Sequence, residues 1–403
     1  MKEGWTYKKL GEVCETLNGL WKGKKPPFVN VGVIRNANFT KDFTLRYDNV
    51  EYLDVEEKQY VKRKLQRGDL IIEKSGGSEK QPVGRAVLFD KENGEFSFSN
   101  FTSVLRVKND ILQSRFLYIY LLFIYKRGDT LKMQKATTGI HNIEFDKYLN
   151  IDIPILPFAQ QQRIVSSLDA AFAHIDALKA NAEKQLAEAR QLFQAELAEC
   201  MRPKEGWEEK RLGEVCEIFG RIGFRGYTRG DLVDTPEKGA ITLSPSNIVD
   251  GEMNYNKCTY ITWKKYEESP EIMIYPGDIL LVKTASVGKT ALVKSLPHKA
   301  TINPQFVVMK KITIDNRYLS YYLKTEEAQH YIWSIAKGAA AQTVSQKNLA
   351  EMKIPVPDDT VQQFIVSRLD ALSANIKKLE EVQRKTLAEC DALKQAMFRE
   401  VFE

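Results

Sequence analysis

Several short stretches of this chain carry residue types that elsewhere bind nucleotides or activate nucleophiles. ASVGKT (285–290) ends in the Gly-Lys-Thr of a phosphate loop, but that loop needs a glycine five residues before Gly288, and Lys283 stands there. KPPF (25–28) has the Pro-Pro-Phe of a site that methylates amines. In such a site the preceding residue must accept a hydrogen bond from the amine, and the Lys25 cation cannot. The carboxylates Asp358 and Asp359 follow Pro357, while the nearby Glu-x-Lys (351–353) precedes them, the reverse of a nuclease arrangement. Histidines 141, 174, 298 and 330 are scattered, and Cys14, Cys200, Cys216, Cys258 and Cys390 form no CxxC, so no metal set emerges. No nucleophile sits beside a base. The chain is expected to be non-catalytic, with no metal and no cofactor of its own.

The elements around these fragments explain them better than chemistry does. KEGWTYKKLGEVCE at Lys2 returns as KEGWEEKRLGEVCE at Lys204, and the echo continues. RGDLIIEKS (67–75) matches PGDILLVKT (276–284), and VGRAVL (83–88) matches VGKTAL (287–292). Asn100 is set against Asn303, RFLYIYLL (115–122) against RYLSYYLK (317–324), and IPILPFAQQQRIVSSLDA (153–170) against IPVPDDTVQQFIVSRLDA (354–371). The Gly-Lys of the false phosphate loop and the Gly-Asp pairs at 68–69 and 277–278 are therefore turns of a repeated scaffold. Cys14 and Cys216 are repeat equivalents and read as small buried hydrophobes. Regions 18–66 and 218–275 resist alignment, so one framework is expected to carry two different variable inserts.

Each half alternates β-branched and aromatic runs with Gly-rich turns, reaches a helix near 115–127 or 317–331, and ends in a Gly-free, Pro-free amphipathic run. In the first run Ile164, Leu168, Phe172, Ile175, Leu178, Ala182, Leu186, Ala189 and Phe193 recur every three or four residues. Ile365, Leu369, Leu372, Ile376, Leu379, Val382, Leu387, Cys390 and Met397 do so in the second. Two helices of about 40 residues, each ~60 Å long, are expected to pair as an antiparallel coiled coil. The predicted fold is mixed α/β (α+β) with pseudo-twofold symmetry. Its parts are a globular domain at 1–157, a helix at 158–202, a second globular domain at 203–357 and a helix at 358–403.

With 403 residues, 43% hydrophobic and 28% charged, the chain reads as globular, and its net charge of +6 permits an anionic partner without requiring one. The most apolar run, FLYIYLLFIY (116–125), is too short to span a bilayer and is expected to be a buried helix. The opening MKEGWTYKKL has no long apolar core, so neither a secretory signal nor a membrane anchor is expected. The odd cysteine count points to a reducing, cytoplasmic compartment.

The ordered double set of Gly-Trp, Leu-Gly-Glu-Val, GDLI or GDIL, Ile-Pro, Gln-Gln and Ile-Val-Ser-x-Leu-Asp-Ala resembles the specificity subunit of Type I restriction–modification enzymes, across essentially the whole chain. PDDTVQQ departs from that pattern, which commonly has an acidic residue directly before a single Gln. The resemblance implies a DNA reader whose two target recognition domains each take one half of a split, asymmetric site. It implies helices that set the spacing and dock two adenine-methyltransferase (modification) subunits, with ATP-dependent translocating nuclease (restriction) subunits joining them. S-adenosylmethionine, ATP and Mg would belong to those partners. The competing readings are a coiled-coil scaffold linking two protein-binding domains, and an enzyme using the false phosphate loop or KPPF.

The resemblance places DNA contacts in loops, where Lys, Arg, hydroxyl groups and backbone N–H groups suit phosphates and Arg, Asn, Gln and His suit base edges. In the first domain these are Lys22, Lys24, Lys25, Arg35 and Asn36, with Trp21 and Phe28 among them; Lys74, Ser75, Gly76 and Gly77; and Thr137, Thr138, Gly139 and His141. His141 serves equally well as a structural histidine. In the second domain they are Arg221, Arg225, Tyr227, Arg229, Ser246, Asn247, Lys283, Thr284, Ser286, Gln342, Thr343 and Ser345.

Overall fold

The computed structural model describes residues 2, 4–20, 23–79, 81–108, 111–137, 139–221, 223–338 and 341–403. It divides into two compact units, Met1–Ala182 with Arg384–Glu403, and Glu183–Gln383.

Each unit is closed by its own repeat motif. In the first, strand Thr6–Lys9 pairs antiparallel with Asp152–Ile155, and in the second Glu208–Arg211 pairs with Lys353–Val356. The Leu-Gly-Glu-Val turn follows, with Glu12 Oε2 accepting from Lys9 N at 3.0 Å and Glu214 Oε2 from Arg211 N at 2.6 Å. Beyond it Cys14 and Cys216 are buried, and burial pushes each thiol up to about 12, so both stay neutral.

The shared core is a four-stranded antiparallel sheet. Its order in the first unit is Cys14–Asn18, Thr102–Val107, Leu70–Glu73, Ala86–Leu88, and in the second Glu217–Gly220, Phe306–Lys310, Ile279–Val282, Thr290–Leu292. The Gly-Asp turns lock it. Gly68 and Gly277 take φ of 95° and 98°, the left-handed region glycine tolerates. The next carboxylate ties the turn to the neighbouring strand: Asp69 Oδ2 accepts from Gln66 N and the carboxylate pairs with Arg106, while Asp278 Oδ2 accepts from Tyr275 N and pairs with Lys310 at 2.9 Å. The false phosphate loop turns at Gly288 (φ 90°) into strand Thr290–Leu292; a phosphate loop would run into a helix there. FLYIYLLFIY lies in the buried helix Ser114–Arg127. Its counterpart is broken into Asn316–Tyr322 and Glu326–Ser334, because Thr325 caps the second piece, its Oγ1 accepting from Ala328 N at 3.2 Å.

Regions 18–66 and 218–275, which resist alignment in sequence, share a strand frame. Strand Phe28–Ile34 pairs antiparallel with Glu51–Glu56 and parallel with Phe96–Phe98, and Gly239–Leu243 pairs in the same two senses with Thr259–Thr262 and Ala300–Ile302. A 3₁₀ turn ends each: Asn38 Oδ1 accepts from Arg35 N at 2.8 Å, and Asn247 Oδ1 from Ser244 N at 2.9 Å. The pairing also moves one equivalence. Ser99 N donates to Ile34 O and Asn303 N to Leu243 O, both at 2.9 Å, so Asn303 matches Ser99, not Asn100. The second unit adds edge strands Leu232–Val233 and Met273–Ile274, which widen three strands to five.

Two 44-residue helices, Phe158–Met201 and Asp359–Phe402, contribute to both units. Within the first, Asp176 pairs with Lys394 and Lys179 with Asp391. Within the second, Gln185 meets Gln383, Arg190 pairs with Glu380 and Glu196 with Arg368. One number falls as the other rises, so in each unit the segments run antiparallel. Asp358, read against nuclease chemistry, caps the second helix through Val361 N at 2.9 Å. The apolar stripe shifts from its expected line. Leu178 and Val382 are 55% and 58% exposed, while Leu168, Ile175 and Ala182 are buried at seven-residue steps, as is Gln383 fourteen residues after Leu369. Gln161 and Gln362 explain the Gln-Gln motif. Both are buried; their amides donate to Leu156 O and Pro357 O at 2.8 Å and accept from Gln113 N and Asp315 N at 2.9 Å, fixing each long helix to the segment before the shorter one.

Candidate nucleic-acid interface

In the first unit the chosen loops converge on one rim. Ser75–Gly77 adds a strand to the hairpin Gln134–Thr137/Ile140–Ile143, with Asn142 opposite Ser75, His141 opposite Gly77 and a register shift between them. Asn36 joins from the other sheet, its Nδ2 donating to Ser75 O at 2.5 Å. Gly76 (φ 106°) and Gly139 (φ 81°) are exposed; a Cβ at Gly139 would touch nothing, whereas one at Gly77 would lie 2.7 Å from Val83 Cγ1. Gly76 and Gly139 thus offer bare backbone to solvent, and Gly77 packs inward.

Lys74 is half-buried behind this strand, its Nζ 3.4 Å from Asn18 Oδ1, and burial lowers its pKa. No carboxylate pairs with it among the described residues. Asn36 Oδ1, Arg35 Nε and His141 Nδ1 are buried without a protein partner, although Arg35 Nη1 pairs with Glu51. Lys24 and Lys25 are exposed and Phe28 is 48% exposed at the start of its strand. Trp21, Lys22 and Thr138 lie outside the described residues, as does the Thr137 side chain.

The second unit repeats the rim in shorter form. Thr284 bridges to Thr343, their Oγ1 atoms 3.2 Å apart, and Lys337 also bridges to Thr343. Ala285 takes φ of 69° and its N–H donates to Gln342 O at 3.1 Å; Ser286 and Gln342 are exposed. Lys283 repeats Lys74 in detail. Its N–H donates to Gln305 O as that of Lys74 does to Phe101 O, its carbonyl accepts from Val344 N as that of Lys74 does from Ile143 N, and burial lowers its pKa too. It also has no carboxylate partner among the described residues.

Other chosen residues serve the fold. Arg221 is 5% exposed, and its guanidinium donates to Ile302 O (3.1 Å), Arg225 O (3.3 Å) and Thr301 Oγ1 (3.2 Å) while lying over the Tyr227 ring. Asn247 is buried, its amide donating to Asn254 O and Lys257 O, and Ser345 Oγ caps helix Gln346–Ala350. Arg225 pairs with Glu271 at 3.4 Å, and Ser246 bonds Ser244 at 2.8 Å. Arg229 stays exposed. Asn18, which meets Lys74, and Gln346, whose Nε2 lies 2.5 Å from where a Cβ of Gly220 would stand beside Lys283 Nζ, adjoin the two lysines and are not among the residues chosen from the sequence. The equal spacing of Asn18 and Gly220 after the repeated Gly-Glu-Val-Cys was the available signal.

Two mixed α/β units built on one strand plan, each containing segments of two long helices, define the class: a duplicated two-domain chain. The chain belongs to the family of Type I restriction modification DNA specificity domains, whose profile matches residues 2–188 and 204–389. It is accordingly a specificity subunit with two DNA-recognition domains. It is 23% identical to the EcoKI specificity subunit of Escherichia coli K12 over 426 aligned positions, covering all of this chain and 89% of that one. It is 26% identical to a putative specificity subunit, S.HindORF215P, of Haemophilus influenzae, over 94% of each. Among solved structures, a chain from a type I R-M system described for its assembly and conformational transition matches with a TM-score of 0.78 at 20% identity, over 100% of this chain and 98% of that one. The HsdS subunit of Thermoanaerobacter tengcongensis matches at 0.57 and 20%, over 100% and 97%. Among the described residues no helix is long and apolar enough to cross a membrane, and no group of His, Cys, Asp and Glu is placed to hold a metal.

Proposed function

We propose that this chain reads a bipartite, asymmetric sequence in double-stranded DNA, each unit taking one half. The long helices set the distance between the halves and dock two adenine-methyltransferase subunits, with ATP-dependent restriction subunits joining them in the cytoplasm. The chain itself performs no chemistry; S-adenosylmethionine, ATP and Mg bind in the partners.

The observation that carries the reading is the rim built twice around Lys74 and Lys283, with different side chains beside each lysine. A half-buried cation without a carboxylate suits a phosphate, which carries no sequence information. The neighbours differ: Asn36 and His141 in one unit, Thr284, Gln342 and Thr343 in the other. Unequal neighbours would read unequal half-sites.

A genome-wide map of methylated adenines, with and without this gene in a host that expresses the methyltransferase partner, tests it. Loss of one split, asymmetric motif is the expected result. Replacing residues 18–150 by those of another family member should then change one half alone. An unchanged map would favour a scaffold that joins other proteins without reading DNA.

A further inference from the structure

Each unit has a recess beside its pair of long-helix segments, bounded by an equivalent ion pair: Arg115–Asp169 in the first, Arg317–Asp370 in the second. In the first unit the recess is filled. The turn closed by Thr40 N donating to Thr44 O (2.9 Å) holds Phe43 at φ 61° against helix Ser114–Arg127. Phe43 is 7% exposed. Its ring centroid is 5.2 Å from that of Tyr125, Lys126 Nζ sits 4.6 Å over its face, and Tyr118 Oη donates to its carbonyl at 2.9 Å. Burial lowers the pKa of Lys126 and the hydrogen bond to Asp391 raises that of Lys179, while the nearby Asp42 carboxylate favours the charged form of each.

The second unit keeps the frame and loses the filling. Its turn is the hairpin Ile248–Val249/Glu252–Met253, tipped by Asp250 and Gly251, with no aromatic residue. The repeat sets Ser320 against Tyr118, Ser373 against Phe172, Lys324 against Leu122, Lys377 against Asp176 and Arg190 against Asp391. Val282 replaces Glu73, the partner of Arg85, so Lys289 has no carboxylate within ion-pair reach among the described residues. What remains is a cleft of about 970 Å³ lined by Arg190, Lys289, Lys294, Arg317, Lys324 and Lys377. Arg190 pairs with Glu380, Lys294 and Lys377 with Glu252, and Arg317 with Asp370, which leaves Lys289 and Lys324 without a carboxylate at ion-pair distance among the described residues. Lys324 Nζ donates to Gly251 O at 3.2 Å, and burial lowers its pKa. Phe193, Leu292 and Tyr321 supply apolar wall.

We propose that this cleft receives a protruding segment of a partner polypeptide in which an aromatic side chain, in the place Phe43 takes within the first unit, adjoins a carboxylate. The aromatic group would cover the wall left by Ser320, Ser373 and Gly251, and the carboxylate would meet Lys324 and Lys289. A free inorganic anion would meet the charge and leave the apolar wall uncovered. The inference does not depend on which DNA sequence the chain reads.

The test uses the full chain and a labelled, end-capped peptide of its own residues 42–45, DFTL, which carries one carboxylate beside the aromatic ring and no cation. Fluorescence anisotropy should show salt-sensitive binding that weakens about tenfold or more when the peptide carries Phe43→Ala. It should weaken as much when the protein carries Lys324→Leu, or Ser320→Tyr with Ser373→Phe, which copy the first unit, while DNA binding is unchanged. If the double variant does not fold, Lys324→Leu decides alone. Absence of binding to the wild-type chain, or equal binding by the variants, overturns the proposal. So does displacement by inorganic phosphate together with equal binding of the Phe43→Ala peptide, which would make the cleft a simple anion site.

Discussion

The four-stranded sheets of the two units match strand for strand, while the sheets beside them differ: three strands around Phe28–Ile34, five around Gly239–Leu243. The contrast extends to single positions. Arg35 and Asn36 occupy one 3₁₀ turn, where Ser244 and Pro245 occupy the other. Asn38 and Asn247, two residues further on, close both turns with the same hydrogen bond. At these turns the position that closes the turn repeats its chemistry and the positions before it diverge.

The largest effect that could break this comparison lies at Glu73, which forms a buried pair with Arg85. Glu73→Ala should cost about 3–5 kcal/mol in chemical denaturation, since it leaves a buried guanidinium without its carboxylate. Glu73→Val with Arg85→Lys, the residues of the second unit, should cost less. An equal loss in both variants would mean that the two sheets are not interchangeable. Next comes the glutamine lock: Gln161→Leu and Gln362→Leu should each cost about 1–3 kcal/mol by stranding backbone groups, by similar amounts if the repeats are equivalent.

Asn36→Ala should relax base preference by about 1–3 kcal/mol in one half-site alone, read by selection from a randomised DNA pool. Relaxation in both halves would break the assignment of one unit to one half. Lys74→Ala and Lys283→Ala should each weaken binding to all sequences and reduce the slope of log affinity against log salt by about 0.9. The smallest expected effect is on pH. Burial depresses both lysines in the free protein, and a bound phosphate favours the charged form, so binding takes up protons. Affinity should therefore fall as pH rises through the free-state pKa, and the fall should shrink in the double alanine variant.

Much of this was legible along the chain. The duplicated Gly-Trp, Gly-Asp and Gln-Gln motifs announced two equivalent units because each has a local or short-range role, as a strand that closes the unit, a left-handed turn or a helix start. The long helices were legible from periodicity. Their seam was not, because runs such as IKKLEEVQ offer apolar residues on two lines and only the partner helix selects one, placing Gln383 inside and Val382 outside. The chosen rim residues were found in groups, since Lys74–Gly77 and His141 come together by strand pairing. Arg221 and Asn247 carry side chains suited to a DNA contact, yet within the fold Arg221 donates to Ile302 O, Arg225 O and Thr301 Oγ1, and Asn247 to Asn254 O and Lys257 O.

Sequence by itself determined the duplication, the order of elements and the family, because repeats and turn chemistry are written in consecutive residues. Tertiary structure decided which polar groups face outward and that the variable regions share a strand frame. It also decided that one recess is filled and the other open. Burial depends on residues far apart in the chain, and Ser320 became the floor of a cleft only beside Gly251 and Ser373.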